Sequence, residues 1–178
     1  KTPVSTLVSP KNLVVNYWTR NLKESERISE EIEMSARILK ERQMSKLFLD
    51  VELGPAPLPE DSQASGADDS IPYILIEQHT FLDLDDDGYK EPYIVTFHKE
   101  TGQVLRIVAR YDESGVFVDD AGELQRIEPI QYYTKFGFVP NPDGSFYDIG
   151  FGCLLGPINE SVNTLINQLV DAGTLNNL

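Results

Sequence analysis

The densest set of ligand-type side chains lies in DLDDDGYKE, from Asp83 to Glu91. Asp83, Asp85 and Asp87, followed by Gly88, match positions one, three, five and six of a calcium-binding loop. The chemistry asks for this pattern, because a hard cation takes several oxygens that converge around a tight bend. The match stops at the twelfth position, where a bidentate Glu belongs and Ile94 stands. Glu91 could supply part of the missing ligand set. The flanking segments read as strands rather than helices, so the competing reading is an acidic β-turn in which Gly88 supplies positive φ. The lost bidentate position favours the turn, and no metal ligand is assigned.

The other side chains able to do chemistry are few. His79 and His98 both fall inside strand-like runs, where Glu77, His79 and His98 could approach one another across neighbouring strands. No nucleophile accompanies them, so packing or surface pairing is their expected role. Cys153 is the single cysteine, which excludes an internal disulfide or a multi-cysteine metal site. It sits in FGCLLG, where cysteine usually behaves as a small buried hydrophobe. None of GxxxxGK[ST], GxSxG or HExxH occurs, and GFG and PDG lack the register of a phosphate loop. The expectation is a chain that is not an enzyme, with no catalytic residue and no cofactor.

The elements that would carry these residues follow from pattern. NLVVNYW reads as a strand, TRNLKESER as a turn or short helical piece, and RISEEIEM as a strand. Ser35 is a plausible N-cap for a helix over about residues 36–47. Residues 53–71, with their prolines, glycines and acids, offer almost nothing to bury and read as a linker or mobile loop. A β-meander follows: IPYILIEQHTFLDL, YKEPYIVTFHK and QVLRIVARYD as strands joined by DDDG and ETG turns. ESGVFVDDAGEL adds a small hairpin with Gly115 and Gly122 at bends, IEPIQYYTKFGFVP a further aromatic-rich strand, and NPDGSFYDIGFG a glycine-rich loop. The last element is a helix with Pro157 at its first position and Gly173 as its stop. Ile158, Val162, Leu165, Ile166, Leu169 and Val170 form its apolar stripe, and amide side chains dominate the opposite side. A solvated face is the commoner use of such a side, but it also suits a wet helix–helix or subunit interface.

The fold class expected is therefore α+β: an antiparallel β-meander with a few helices, including a long amphipathic C-terminal one. The chain divides into an α/β segment (1–52), the linker (53–71), a β-rich region (72–150), and a glycine loop with the helix (151–178). A net charge of −14 argues against a freestanding nucleic-acid binder, which carries a basic stripe. It fits a self-repelling soluble surface, or an acidic surface beside DNA that must slide and not stick. No apolar run approaches the roughly 18 residues of a membrane helix. The chain opens KTPVSTLVSP without Met and stops at Leu178 soon after a helix, so an internal piece of a longer protein is expected.

Four stretches in order resemble the portal proteins of tailed bacteriophages and prophages, in the branch associated with short-tailed phages. They are VSPKNLVVNYW, RISEEIEMS, IEQHTFLDLDDDGYKEPYIVTFHKETGQVLRI and YYTKFGFVPNPDGSFYDIGFGCLLGPINESVNTLINQLVDAG. The last is the most specific, with its glycine-rich loop, LLGP and an Asn-rich helix ending DAG. The resemblance implies a much longer protein that assembles as a ring, typically of twelve subunits, at one capsid vertex. That ring conducts DNA in packaging and ejection without sequence-specific binding. It docks the terminase large subunit and meets capsid, scaffolding and head-tail connector proteins, first in the host cytoplasm and then in the virion. The fragment would belong to the wing-like region, with the final helix near the inter-subunit core and no active site or membrane contact. The stem helices and clip of such proteins have no counterpart in the sequence.

Overall fold

The computed structural model describes residues 4–55 and 71–176. Most of the 53–71 linker lies outside the described residues. The protein is α+β. Strands β1 (Leu13–Val15), β2 (Ile28–Met34), β3 (Tyr73–Leu82), β4 (Glu91–His98) and β5 (Val104–Ala109) form one antiparallel sheet in sequence order. A separate hairpin pairs β6 (Val116–Val118) with β7 (Leu124–Ile127). Two helices complete the fold, α1 (Ala36–Met44) and α2 (Phe151–Asn176).

Period-two alternation decides which side chains enter the core. Ile28, Glu30, Ile32 and Met34 of β2 stand opposite His79, Glu77, Leu75 and Tyr73 of β3, so these eight share one face. On that face Met34, Leu75 and Leu105 pack with Leu39 of α1 and with Phe48. Leu105 gets there through a bulge: Arg106 opposes Thr96 and Val104 opposes Phe97, which leaves Leu105 as the extra residue on β5. A second cluster joins Ile28 to Leu22 and Phe146. Leu22 comes from a short 3₁₀ turn, Leu22–Glu24, whose cap Asn21 accepts from the Lys23 N–H.

Ser35 caps α1 as expected, its side chain accepting from the Ile38 N–H. The helix ends at Met44, short of the expected residue 47. Lys46 takes φ 58°, and the Leu47 and Phe48 N–H groups both bond to the Arg42 carbonyl. That tight reversal brings Phe48 into the core, and burying its ring outweighs a further half-turn of exposed helix.

Two expectations about elements fail. Past Ile127, which ends β7, IEPIQYYTKFGFVP is not a strand; there Val139 alone makes an isolated bridge, to Ile149. The segment crosses the core face of the sheet instead of joining its edge. The Ile130 N–H bonds to the Arg110 carbonyl, and the Tyr133 hydroxyl donates to Glu30. Its aromatic residues serve as cover, and a cover has the composition of a strand without its ladder. Helix α2 begins at Phe151, ahead of Pro157, and runs through Gly173 to Asn176. Pro157 lies inside it and donates nothing to the Cys153 carbonyl. Leu154 and Leu155 favour helix before the proline, and the Phe151 ring packs edge-on to Phe138 at 5.3 Å.

Candidate functional site

In the acidic turn, ligand-type oxygens of Asp83, Asp85 and Asp87 lie within 4.8 Å of one another. The same carboxylates also serve the turn. Asp83 accepts from the Gly88 N–H at 3.0 Å and Asp87 from the Tyr89 N–H at 2.7 Å. Gly88 has φ 92° and Asp86 φ 59°, so the bend needs the left-handed region at two positions. Glu91, considered as a further ligand, instead accepts a hydrogen bond from the Tyr93 hydroxyl. That hydrogen bond, more than the negative charge of Glu91, pushes the Tyr93 hydroxyl well above its ordinary pKa. Ile94 stands in β4 opposite His79 and offers no oxygen.

The histidines do not form a site together. His79 opposes Ile94 and His98 opposes Leu75, which separates them by four residues along β3, about 13 Å. His98 Nδ1 lies 2.9 Å from the Thr101 hydroxyl at the turn after β4. His79 does meet Glu77, with Nε2 at 3.7 Å from Oε1, a close polar contact rather than a formed hydrogen bond. The His79 ring holds the Glu77 carboxyl below the usual range; Arg106 adds to this and burial opposes it. Cys153 is exposed on α2, which corrects the expectation of a buried thiol.

Other residues near His79 carry more than the sequence suggested. Tyr132 and Tyr133 pack their rings on the imidazole, and Tyr133 donates to Glu30 at 2.7 Å. Burial, followed by the Glu30 hydrogen bond, pushes the Tyr133 hydroxyl well above its ordinary pKa. Glu30, Glu77, His79 and Arg106 line one groove of about 970 Å³ beneath the aromatic segment. The groove wall includes Gly137, where an added Cβ would fall 1.5 Å from an Asp148 carboxylate oxygen, so a side chain there would displace Asp148 from its place beside Lys135.

Helix α2 carries a long run of exposed apolar side chains among the described residues. From Phe151 to Thr174 every residue except the half-buried Gly156 is exposed. Phe151, Leu155, Ile158, Val162, Leu165 and Leu169 alternate four and three residues apart, the seam spacing of helices that pack on other helices. Apart from Phe138 against Phe151 at its start, nothing among the described residues covers that seam.

No family model matches the chain, and no curated protein does. The portal resemblance therefore rests on the quoted stretches alone.

The groove had a signal in the sequence. In Ile28-x-Glu30-x-Ile32-x-Met34 and Leu75-x-Glu77-x-His79, a charged residue occupies an inward position of an alternating strand. A carboxylate turned toward a core has to meet polar partners there. The partner Tyr133 lies 103 residues from Glu30, and no local pattern links them.

Proposed function

We propose that this chain is part of a portal subunit of a tailed phage or prophage, contributing to a ring that conducts DNA at the capsid vertex. The observation that carries the reading is α2, a 26-residue helix whose apolar seam is exposed along its length. An exposed seam of this size marks a surface built to be covered by other protein. The amide-rich opposite side, with Glu160 and Asp171 as its only acids and no base, suits a wet contact between neighbouring subunits. The resemblance of the four stretches supplies the identity of the ring. In this reading the chain is a structural part, and the work of packaging belongs to the terminase that docks on the ring. The test is the particle mass and electron-microscopic outline of the full-length protein. A closed ring is expected, and Leu165→Glu in the seam should break it into smaller species. A full-length protein that stays monomeric at every concentration sinks the proposal.

The convergence of Asp83, Asp85 and Asp87 favours a second reading, a β-rich binding module stabilised by calcium. Millimolar calcium would then raise the melting temperature by several degrees, and Asp85→Ala would remove the rise. An unchanged melting temperature in calcium and in chelator leaves the turn as a turn.

A further inference from the structure

The pleat sends alternate residues of each strand to the second face of the sheet, away from both core clusters. An antiparallel sheet with one face in water turns polar residues outward there. Strand β2 does so, with Ser29, Glu31 and Glu33. Strands β3 to β5 do not. Their register sets Ile76, Phe97 and Val104 in one row and Val95 and Ile107 in the next, with Ile74 and Tyr93 at the two ends. Of the buried apolar side chains only Val95 stands on this face, and neither core cluster includes it. Val104 is 37% exposed and Ile107 47%. The strip runs from Ile74 to Thr80, the partner of Tyr93, which is about 20 Å along β3.

The chain thus carries two uncovered apolar surfaces of different shape, this strip and the α2 seam. We infer that they cover one another between copies of the chain: the α2 seam from Ile158 to Leu169 packs on the β3–β5 strip of a second copy. The extents match, since Ile158 to Leu169 spans about 17 Å at 1.5 Å per residue. The start of α2 is held by Phe138 against Phe151, so its later turns are the ones free to reach a neighbour. Charge permits the contact as well. Glu31, which neighbours Ile76 on the strip, is paired with Lys99 at 2.7 Å. Beside the seam stand Asn159, Ser161 and Gln168, none of them charged, and Glu160 falls on the far side of the helix. Helix α2 holds only two of the 29 acids, so repulsion between copies comes from other surfaces. Pairing α2 with α2 would leave the strip bare, and pairing strip with strip would leave α2 bare. Helix on strip covers both. A contact between unlike surfaces repeats head to tail, and it closes only as a ring. The inference rests on the reading of α2 as a contact between subunits and names the surface that receives it.

The test is sedimentation velocity of the whole chain at physiological salt, which screens the shared negative charge. The parent is expected to self-associate. Leu165→Glu and Ile107→Glu should each weaken this at least about tenfold by setting a charge in an apolar contact. Mixing the two variants in equal amounts should then yield a dimer and nothing larger. The first keeps an intact strip and the second an intact seam, so each mixed pair has one good contact. Both side chains are exposed, so both variants should fold; if Ile107→Glu does not, Val104→Glu takes its place. An Ile107→Glu that associates as the parent does overturns the inference and leaves α2 as a subunit contact of another kind. A mixture that stays monomeric overturns it too. So does a parent that is monomeric up to about 1 mM, and the mass of the full-length protein then decides the ring by itself.

Discussion

Leu75, the third residue of β3, has no exposed surface and packs among Met34, Leu39, Phe48 and Leu105. Truncating it removes the side chain that ties α1 to the sheet. Leu75→Ala should cost about 2–5 kcal/mol in denaturant unfolding, the range for a leucine whose cavity cannot collapse. Glu77 makes a prediction in pH. Its folded pKa lies below the ordinary 4.5, so its charge stabilises the fold above about pH 4.5. That contribution is lost as the pH falls through the lowered folded value. Unfolding free energy measured from pH 6 downward should therefore fall less steeply in Glu77→Gln than in the parent, with parallel curves at neutral pH. A variant with the same acid slope would show that the His79 contact contributes nothing to Glu77.

Among the elements, α1 and α2 are helices for opposite reasons. Helix α1 is nine residues long, too short to persist alone, and exists because Leu39 is buried and Ser35 caps its start. Helix α2 has no buried residue among those described and, with three glycines, Pro157 and four asparagines, no advantage of propensity, so its ladder rests on its length of 26 residues. Its seam governs association and not folding. Leu165→Glu should thus leave the thermal melting of a dilute sample within about 2 °C of the parent, since the side chain is exposed before and after. Light scattering at high concentration should show the same substitution lowering the associated mass. A large fall in melting temperature would instead mean that Leu165 is buried within the folded subunit.

On the scale of the whole molecule, the sheet and its aromatic cover form one cooperative unit, and α2 is an appendage to it. The cover is held by contacts distant in sequence: Tyr133 to Glu30, and Tyr147 to the Leu13 carbonyl at 2.9 Å. These contacts make the cover part of the same transition as the strands. A chain ended after Gly150 should therefore melt within a few degrees of the parent, monitored by the near-ultraviolet signal of the half-buried tyrosines, Tyr133 among them. Loss of a cooperative transition would place part of the core in α2, against its exposure.

Much of this architecture was legible in the residues. Every strand of the sheet, the Ser35 cap and the hairpin follow from alternation, turn residues and capping chemistry, which act over a few neighbours and so are written locally. The acidic turn was legible as well, because its hydrogen bonds close within Asp83–Tyr89. What the tertiary structure decided depends on partners far along the chain. The aromatic stretch at 130–138 could have been a strand or a cover, and Glu30 and Arg110 made it a cover. His79 met Glu77 rather than His98 because the β3–β4 register keeps the two histidines apart. Cys153 looked buried because its neighbours are apolar, yet apolar neighbours predict burial only when something packs on them. The α2 seam has no such partner among the described residues, because amphipathicity specifies that a face will be covered and not by which chain.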